Sequence, residues 1–169
     1  MARHPVHGSV QAAREPVAQA GFVRAEFDPA DAATLPTGEI APVDGTCMDF
    51  RTAKPIGQDI HDAALAPFRG YDPNFCLDGK GLRKIGRAEG DKTGIVMEVK
   101  TTLEGVQLYT GNWLGDEHAK DDANYGWGAG FALEAEMYPD TPHQPLFPQG
   151  IVGPGHPYSN VIEYHFMRH

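Results

Sequence analysis

The sequence predicts an all-β protein, a sandwich or barrel of short antiparallel strands with few or no helices. Two observations carry that expectation. Glycine and proline, 20 and 14 residues, make up about a fifth of the 169-residue chain, against an ordinary share of about 12%. Punctuation that dense cuts a chain into segments suited to strands and turns rather than long helices. In the second half, apolar residues alternate with polar ones at a period of two, the mark of a strand with one buried face.

Taken in order, residues 1–21 show no sustained periodicity and are interrupted by Pro5 and Pro16. They read as a loosely ordered segment ahead of a single domain over residues 22–169. A short alternation covers 22–27, with Phe22, Arg24 and Glu26 opposite Val23, Ala25 and Phe27. Residues 28–57 are rich in Pro, Gly, Asp and Thr, which predicts extended chain and turns around a structured loop. Residues 56–65 have the spacing of one or two helical turns carrying Ile60, Ala64 and Leu65 inward. Ile95, Met97, Val99 and Thr101 then alternate with Val96, Glu98 and Lys100. Residues 106–110 follow after a turn at Glu104 and Gly105, so the two segments read as a hairpin. Phe131, Leu133, Ala135 and Met137 oppose Ala132, Glu134, Glu136 and Tyr138; Ile162, Tyr164 and Phe166 oppose Val161, Glu163 and His165.

Composition narrows the partners. The formal charge is −9, from 23 acidic and 14 basic residues. Nucleic acid and anionic membrane surfaces are disfavoured, because binding either needs a basic face. A neutral small molecule suits the field. No apolar run approaches the ~20 residues of a membrane span, and the N-terminus lacks the apolar stretch of a secretory signal. Cys47 and Cys76 make no disulfide framework, so the expectation is a reduced, cytoplasmic protein.

Two groups of residues bear on chemistry. Glu134 and Glu136 stand at i and i+2 of a strand and project from one face. Two carboxylates that close raise at least one pKa, as general acid–base work near neutrality requires; the alternative is a solvated strand face. Asp72, in GYDPNFCL (70–77) between Tyr71 and Phe75, has the acceptor-beside-aromatic pattern of a sugar site, or else marks an Asp-Pro turn. The histidines are His4, His7, His61, His118, His143, His156, His165 and His169. Glu163 and His165 share a strand face, but no H-x-H or H-E-x-x-H spacing accompanies them, so no metal is expected. The glycine-rich residues 126–130 precede a strand instead of opening a helix, which is not phosphate-loop geometry, and no other cofactor is implied.

Four segments in order resemble the aldose 1-epimerase (galactose mutarotase) family. They are LPTGEIAPVDGTCMDFR (35–51), GYDPNFCL (70–77), GVQLYTGNWL (105–114) and GFALEAEMYPDTPHQPLFPQGIVGPGHPY (130–158). The resemblance runs from about residue 22 to the end. It implies part of a large antiparallel β-sandwich, namely the C-terminal half of chains about twice this length. It also implies interconversion of the α and β anomers of hexoses such as galactose and glucose by acid–base ring opening, without metal or nucleotide. The alternative is a carbohydrate-binding remnant without catalysis.

Carried over residue by residue, the resemblance makes Glu134 the general base and Asp72 a sugar-binding acceptor, joined by Asn74 and Glu136. The family's general acid is a histidine of its N-terminal half; His4 falls at about that place, with His7 as a lesser candidate. Pro73 stands where the family has histidine, and Glu136 where it has glutamine. The second carboxylate implies either a raised pKa for Glu134 or a charged Glu136 in the pocket. As partners, the reading allows a second copy of the chain or the missing N-terminal half.

Overall fold

The computed structural model describes residues 18–22, 26–31, 33–115 and 118–168. Their strands are β1 (Ala18–Phe22), β2 (Glu26–Asp28), β3 (Ala41–Pro42), β4 (Lys54–Pro55), β5 (Asn74–Cys76), β6 (Arg83–Gly90), β7 (Ile95–Thr101), β8 (Gly105–Tyr109), β9 (Ala132–Glu136) and β10 (Ile162–Arg168). They form two five-stranded sheets with the orders β10-β7-β6-β1-β4 and β3-β2-β5-β8-β9. Helix among the described residues is confined to short 3₁₀ segments, as the dense glycine and proline predict.

The two sheets bury their facing sides against each other. From the second sheet come Phe75, Val106, Leu108 and Leu133; from the first come Ile85 and Val99. The alternation of β9 puts Leu133 inward and leaves Glu134 exposed. The loop over residues 43–56 closes one end of this core with Val43, Met48, Phe50 and Ile56. Phe50 meets Tyr71 and Phe75 edge-on at centroid distances of 5.2 and 6.1 Å. The Tyr71 hydroxyl donates to the Cys47 carbonyl at 3.0 Å. Lys54 Nζ sits 4.5 Å from the Phe50 ring centre and donates to the Cys47 carbonyl and to Asp59. The structured loop expected within residues 28–57 is thus a hydrophobic plug stitched by polar bonds.

Several expectations change. The segments 95–101 and 106–110 do not pair as a hairpin: β7 pairs with β6 and β10, and β8 with β5 and β9. The connection is occupied otherwise. Arg83 donates to the carbonyls of Thr101 and Leu103 at 3.0 and 2.8 Å, and the Leu77 amide takes the Glu104 carbonyl at 2.7 Å. Three residues, Thr102, Leu103 and Glu104, therefore carry the chain from one sheet to the other. Of the alternation over 22–27, Val23, Arg24 and Ala25 lie outside the described residues, and its two ends fall in different sheets, β1 ending at Phe22 and β2 starting at Glu26. β1 begins at Ala18, ahead of the expected domain start at 22.

The helical turns over 56–65 are two 3₁₀ pieces, Ile56–Gln58 and Ala63–Phe68. At three residues per turn, Leu65 and Phe68 share the inward side, so Leu65 is buried and Ala64 is exposed, against the expectation. In β7 it is Val96 that is buried and Ile95 that is exposed, the reverse of the expected phase at that end. β6 carries a bulge between Lys84 and Gly86, which breaks the simple period of two across this pair. β10 is a strand as expected, yet its apolar face stays exposed: Ile162, Tyr164 and Phe166 lie opposite Thr101, Val99 and Met97 on the inward side of the sheet, with Phe166 67% exposed.

Two substitutions test the plug. Phe50→Ala is expected to cost about 3–5 kcal/mol. Tyr71→Phe is expected to cost about 1–3 kcal/mol, because the buried Cys47 carbonyl loses its hydroxyl donor. Urea unfolding followed by tryptophan fluorescence measures both, and losses below about 0.5 kcal/mol in each would show that the loop is not part of the core.

Candidate functional site

The outward face of the second sheet carries the candidate residues. Direct cross-strand partners lie on one face of an antiparallel pair, so the register reads out the rows. Phe27, Phe75, Val106 and Ala135 form one continuous row, and it faces the core. The next row, one residue along each strand, is Asp28, Asn74, Gln107 and Glu134, and it faces away. Cys76, Gly105 and Glu136 continue the same outward face. Amides of Leu108 and Thr110 bond the carbonyls of Pro73 and Tyr71 at 3.1 Å each, extending the β5–β8 ladder so that Asp72 comes opposite Tyr109. The structure therefore brings Asp72, Asn74, Glu134 and Glu136 onto one surface.

A buried polar clasp sets this register. The Tyr71 amide donates to Thr110 Oγ1 at 2.9 Å, Thr110 Oγ1 to Asn112 Oδ1 at 2.6 Å, and Asn112 Nδ2 to the Tyr71 carbonyl at 3.0 Å. Thr110 and Asn112 are 2% and 0% exposed. Gly70 sits against them with φ +144°, and a Cβ there would collide with Asn112 Oδ1 and lie 2.6 Å from Thr110 Oγ1. The Thr-Gly-Asn run after β8 thus holds the residue next to Asp72.

The polar groups differ sharply in their surroundings. Gln107 Nε2 donates to Asp72 Oδ1 at 2.8 Å. Burial pushes the Asp72 carboxyl above its ordinary value, and the Gln107 bond opposes that shift. Glu134 is exposed. Glu136 is partly buried, and its Oε1 is enclosed with no hydrogen-bond partner among the described residues. Its carboxyl is pushed up to about 7, first by burial and then by the negative charges of Glu134 and Asp72. Burial is the larger cause, and the neighbouring carboxylates add to it.

Asp28 and Asn74 are each 3% exposed, and none of their side-chain N or O atoms has a partner among the described residues. Burial, and secondarily Asp140, pushes Asp28 up to about 7. The Asn74 amide overlies Gly105, where a Cβ would collide with its Oδ1. The segment over 137–150 packs onto this part of the face. Tyr138 and Phe147 meet edge-on at 5.3 Å and cluster with Cys76. Gln144 Nε2 reaches the Pro36 carbonyl at 3.2 Å, tying this segment to the chain entering Gly38.

Four of the five described histidines make side-chain contacts with residues other than Asp72, Asn74, Glu134 and Glu136. His61 stacks on Trp127 at 5.6 Å; His118, His143 and His165 pair with Asp122, Asp140 and Glu163. His4, His7 and His169 lie outside the described residues. Among the described residues no three His, Cys, Asp or Glu side chains gather as a metal-binding group, and no helix is long and apolar enough to cross a membrane. Both cysteines are buried thiols. Gln107 and Asp28 were not singled out by the sequence reading. The alternation of Gln107 between Val106 and Leu108 marks it as outward-facing; the burial of Asp28 depends on residues more than a hundred positions away and has no local sign.

Fold and site together define an antiparallel β-sandwich with a carboxylate and amide site on the outer face of one sheet. The sequence pattern of the family described as aldose 1-epimerase matches residues 23–165. The human protein named galactose mutarotase is 41% identical over 140 residues, covering 82% of this chain and 40% of the relative. The Escherichia coli K12 protein named aldose 1-epimerase is 35% identical over 147 residues, covering 84% and 42%. Among solved structures, an aldose epimerase homologue from C. elegans superposes with a TM-score of 0.82 at 24% identity, covering 97% of this chain and 49% of that one. A galactose 1-epimerase from Lactobacillus acidophilus gives 0.66 at 23%, covering 90% and 44%. The chain belongs to the aldose 1-epimerase family and has the fold of its solved members. It spans about two fifths of the curated relatives' length.

The state of Asp28 has a consequence for stability. Its folded value of about 7 lies above the ordinary 3.8, so the native protein keeps a proton that the unfolded chain releases. That contribution is complete below the ordinary value and is lost as pH rises through about 7. Asp28→Asn removes the dependence. The variant's denaturation midpoint is expected to gain on the wild type between about pH 4 and pH 7 and to level off above that; a constant difference over that range would sink the assignment.

Proposed function

We propose that this chain carries the acid–base site of an aldose 1-epimerase and interconverts the α and β anomers of hexoses such as galactose and glucose. The observation that carries the reading is the outward row: exposed Glu134 lies directly across from Gln107, whose amide holds Asp72. A base there meets the anomeric hydroxyl while the Asp72–Gln107 pair takes the sugar's other hydroxyls. Glu134 removes the anomeric hydroxyl proton, a second group protonates the ring oxygen, and the C1–O5 bond opens to the aldehyde. Rotation about C1–C2 and closure on the other face give the other anomer. The names of the human and E. coli relatives support this reaction. The buried thiols support a reducing, cytoplasmic setting.

Polarimetry on freshly dissolved α-galactose and α-glucose tests the assignment. The protein is expected to accelerate mutarotation, and Glu134→Gln to remove on the order of 10²–10⁴-fold of that acceleration with the fold intact. Asp72→Asn is expected to raise KM about tenfold or more by weakening charge-assisted bonds to hydroxyls. An unchanged rate in Glu134→Gln would remove Glu134 from the role of base.

The fraction of the family fold covered here also has a bearing on partners. Ile162, Tyr164 and Phe166 expose the inward side of β10, and the chain covers 49% of the C. elegans structure. The occupant we propose for this face is a polypeptide with the complementary half of the fold. Light scattering of the chain mixed with the first half of a related galactose mutarotase should show a one-to-one complex that Phe166→Glu disrupts. A stable homodimer that excludes the added half would overturn this.

A further inference from the structure

Past Asp72, the candidate face continues into a strip of aromatic and charged side chains that a single sugar ring at Glu134 does not use. We propose that this strip is a second sugar subsite, so that the substrates include reducing oligosaccharides whose terminal ring reacts at Glu134 while the next ring lies against Trp127 and Arg69. The inference rests on the epimerase reading above and adds to it the class of substrate.

The strip starts on the outward face itself. Tyr109 is two residues along β8 from Gln107 and so points the same way, across from Ala132 on one side and Asp72 on the other. Three chain segments leave the sheet at this end, and each brings one residue of the strip. Arg69 stands three positions before Asp72, Trp113 four after Tyr109, and Trp127 five before Ala132. Their contacts are continuous. The Trp113 amide donates to the Tyr109 hydroxyl at 3.1 Å, and the Arg69 guanidinium lies 4.8 Å from the Trp113 ring centre. The Trp127 indole N–H donates to the Arg69 carbonyl, and His61 stacks on Trp127 at 5.6 Å.

The far end of the strip borders a cleft of about 380 Å³ whose lining includes Ile60, His61, Asp62, Leu65, Arg69 and Trp127. That volume is of the size that small-molecule sites have, about 300–1,000 Å³. A pyranose offers an apolar C–H face to an aromatic ring and hydroxyls to polar groups at the rim, and the lining provides both. Trp127 is held at a fixed angle by Arg69 and His61, which lowers the ordering cost of a ligand laid on it. Arg69 and Asp62 bring one charge of each sign to the lining. That pairing suits a neutral polyhydroxyl compound better than an anion, in a chain of net charge −9. Neither tryptophan belongs to the buried hydrophobic clusters of the described residues, and Trp113 is 60% exposed. Core packing therefore accounts for neither ring.

The direction of extension follows from the placement of the first ring. Its anomeric hydroxyl meets Glu134, and its other hydroxyls meet the Asp72–Gln107 pair. A unit attached through one of those other hydroxyls leads past Asp72 toward Arg69 and leaves the anomeric hydroxyl free. The glycosidic bond stays intact, and only the terminal ring opens. A unit attached through the anomeric oxygen would block the reaction, because that oxygen then has no proton for Glu134 to take.

The test uses the two tryptophans of the chain, Trp113 and Trp127, both of which lie in the strip. Titration with maltose or cellobiose is expected to give a saturable change in tryptophan emission that glucose does not produce. Polarimetry on the same three sugars is expected to give kcat/KM about three- to tenfold higher for the better disaccharide than for glucose. Trp127→Ala and Trp113→Ala are each expected to remove that advantage and to leave kcat/KM for glucose within about twofold. The exposed position of Trp113 keeps the comparison available if Trp127→Ala does not fold. No saturable emission change with either disaccharide would overturn the subsite. So would folded variants that lose turnover of glucose and disaccharide to the same extent, since the rings would then only support the first site. A disaccharide-specific emission change without acceleration of any of the three sugars would overturn the epimerase reading and keep the cleft as a sugar site.

Discussion

The register between β5 and β8 is the constraint on which the rest of the molecule depends. Side chains alternate across a sheet, so a slip of one residue would exchange the row Phe27–Phe75–Val106–Ala135 with the row Asp28–Asn74–Gln107–Glu134. The core would then hold carboxylates and the site would hold rings. The clasp of Tyr71, Thr110 and Asn112 prevents this, because each of its polar atoms is buried and finds a partner only in the observed register. A shifted pairing would leave those groups unsatisfied at roughly 1–3 kcal/mol each. Tyr71 also belongs to the Phe50 plug. One residue therefore joins the closure of the core to the placement of Asp72.

That arrangement leaves an electrostatic cost concentrated in one place. Among the described residues, Asp28, Asn74 and Glu136 carry the enclosed side-chain polar atoms that have no partner. Burial without a partner destabilises the charged form of a carboxyl, and the raised values of Asp28 and Glu136 are its direct result. Departures from polar satisfaction cluster at sites that do chemistry rather than at sites that only hold a fold. Glu136 borders exposed Glu134 on the candidate face, whereas Asp28 is shut beneath it.

Much of this was legible in the sequence, and the failures have a common cause. The period of two located β9 and β10 and put Glu134 opposite the inward residues, and motif resemblance selected Asp72 and Glu134 from among the acidic residues. Neither could assign strands to sheets. The segments now known as β7 and β8 look like a hairpin because a short polar turn joins them, but Arg83 captures the Thr101 and Leu103 carbonyls from a distance in sequence. Ala64 was misplaced because a 3₁₀ turn and an α turn diverge within three residues. Gln107 was legible in principle from its alternation. The burial of Asp28 was not, since it arises from the 137–150 segment folding back.

The strand that carries both glutamates is also an edge. β9 ends the order of its sheet and β10 ends the order of the other. The Tyr164 hydroxyl bridges them by donating to the Leu133 carbonyl at 3.0 Å. Leu133 immediately precedes Glu134, so the contact between the two open edges is one residue from that carboxylate. Side chains of an unbraced edge strand sample more orientations than those of a central strand, and acid–base catalysis tolerates little misplacement. The same edge exposes Ile162, Tyr164 and Phe166. Covering that apolar surface and steadying the strand that carries Glu134 and Glu136 are consequently one structural event, because whatever completes the sandwich at this edge also braces β9 through the Tyr164–Leu133 contact.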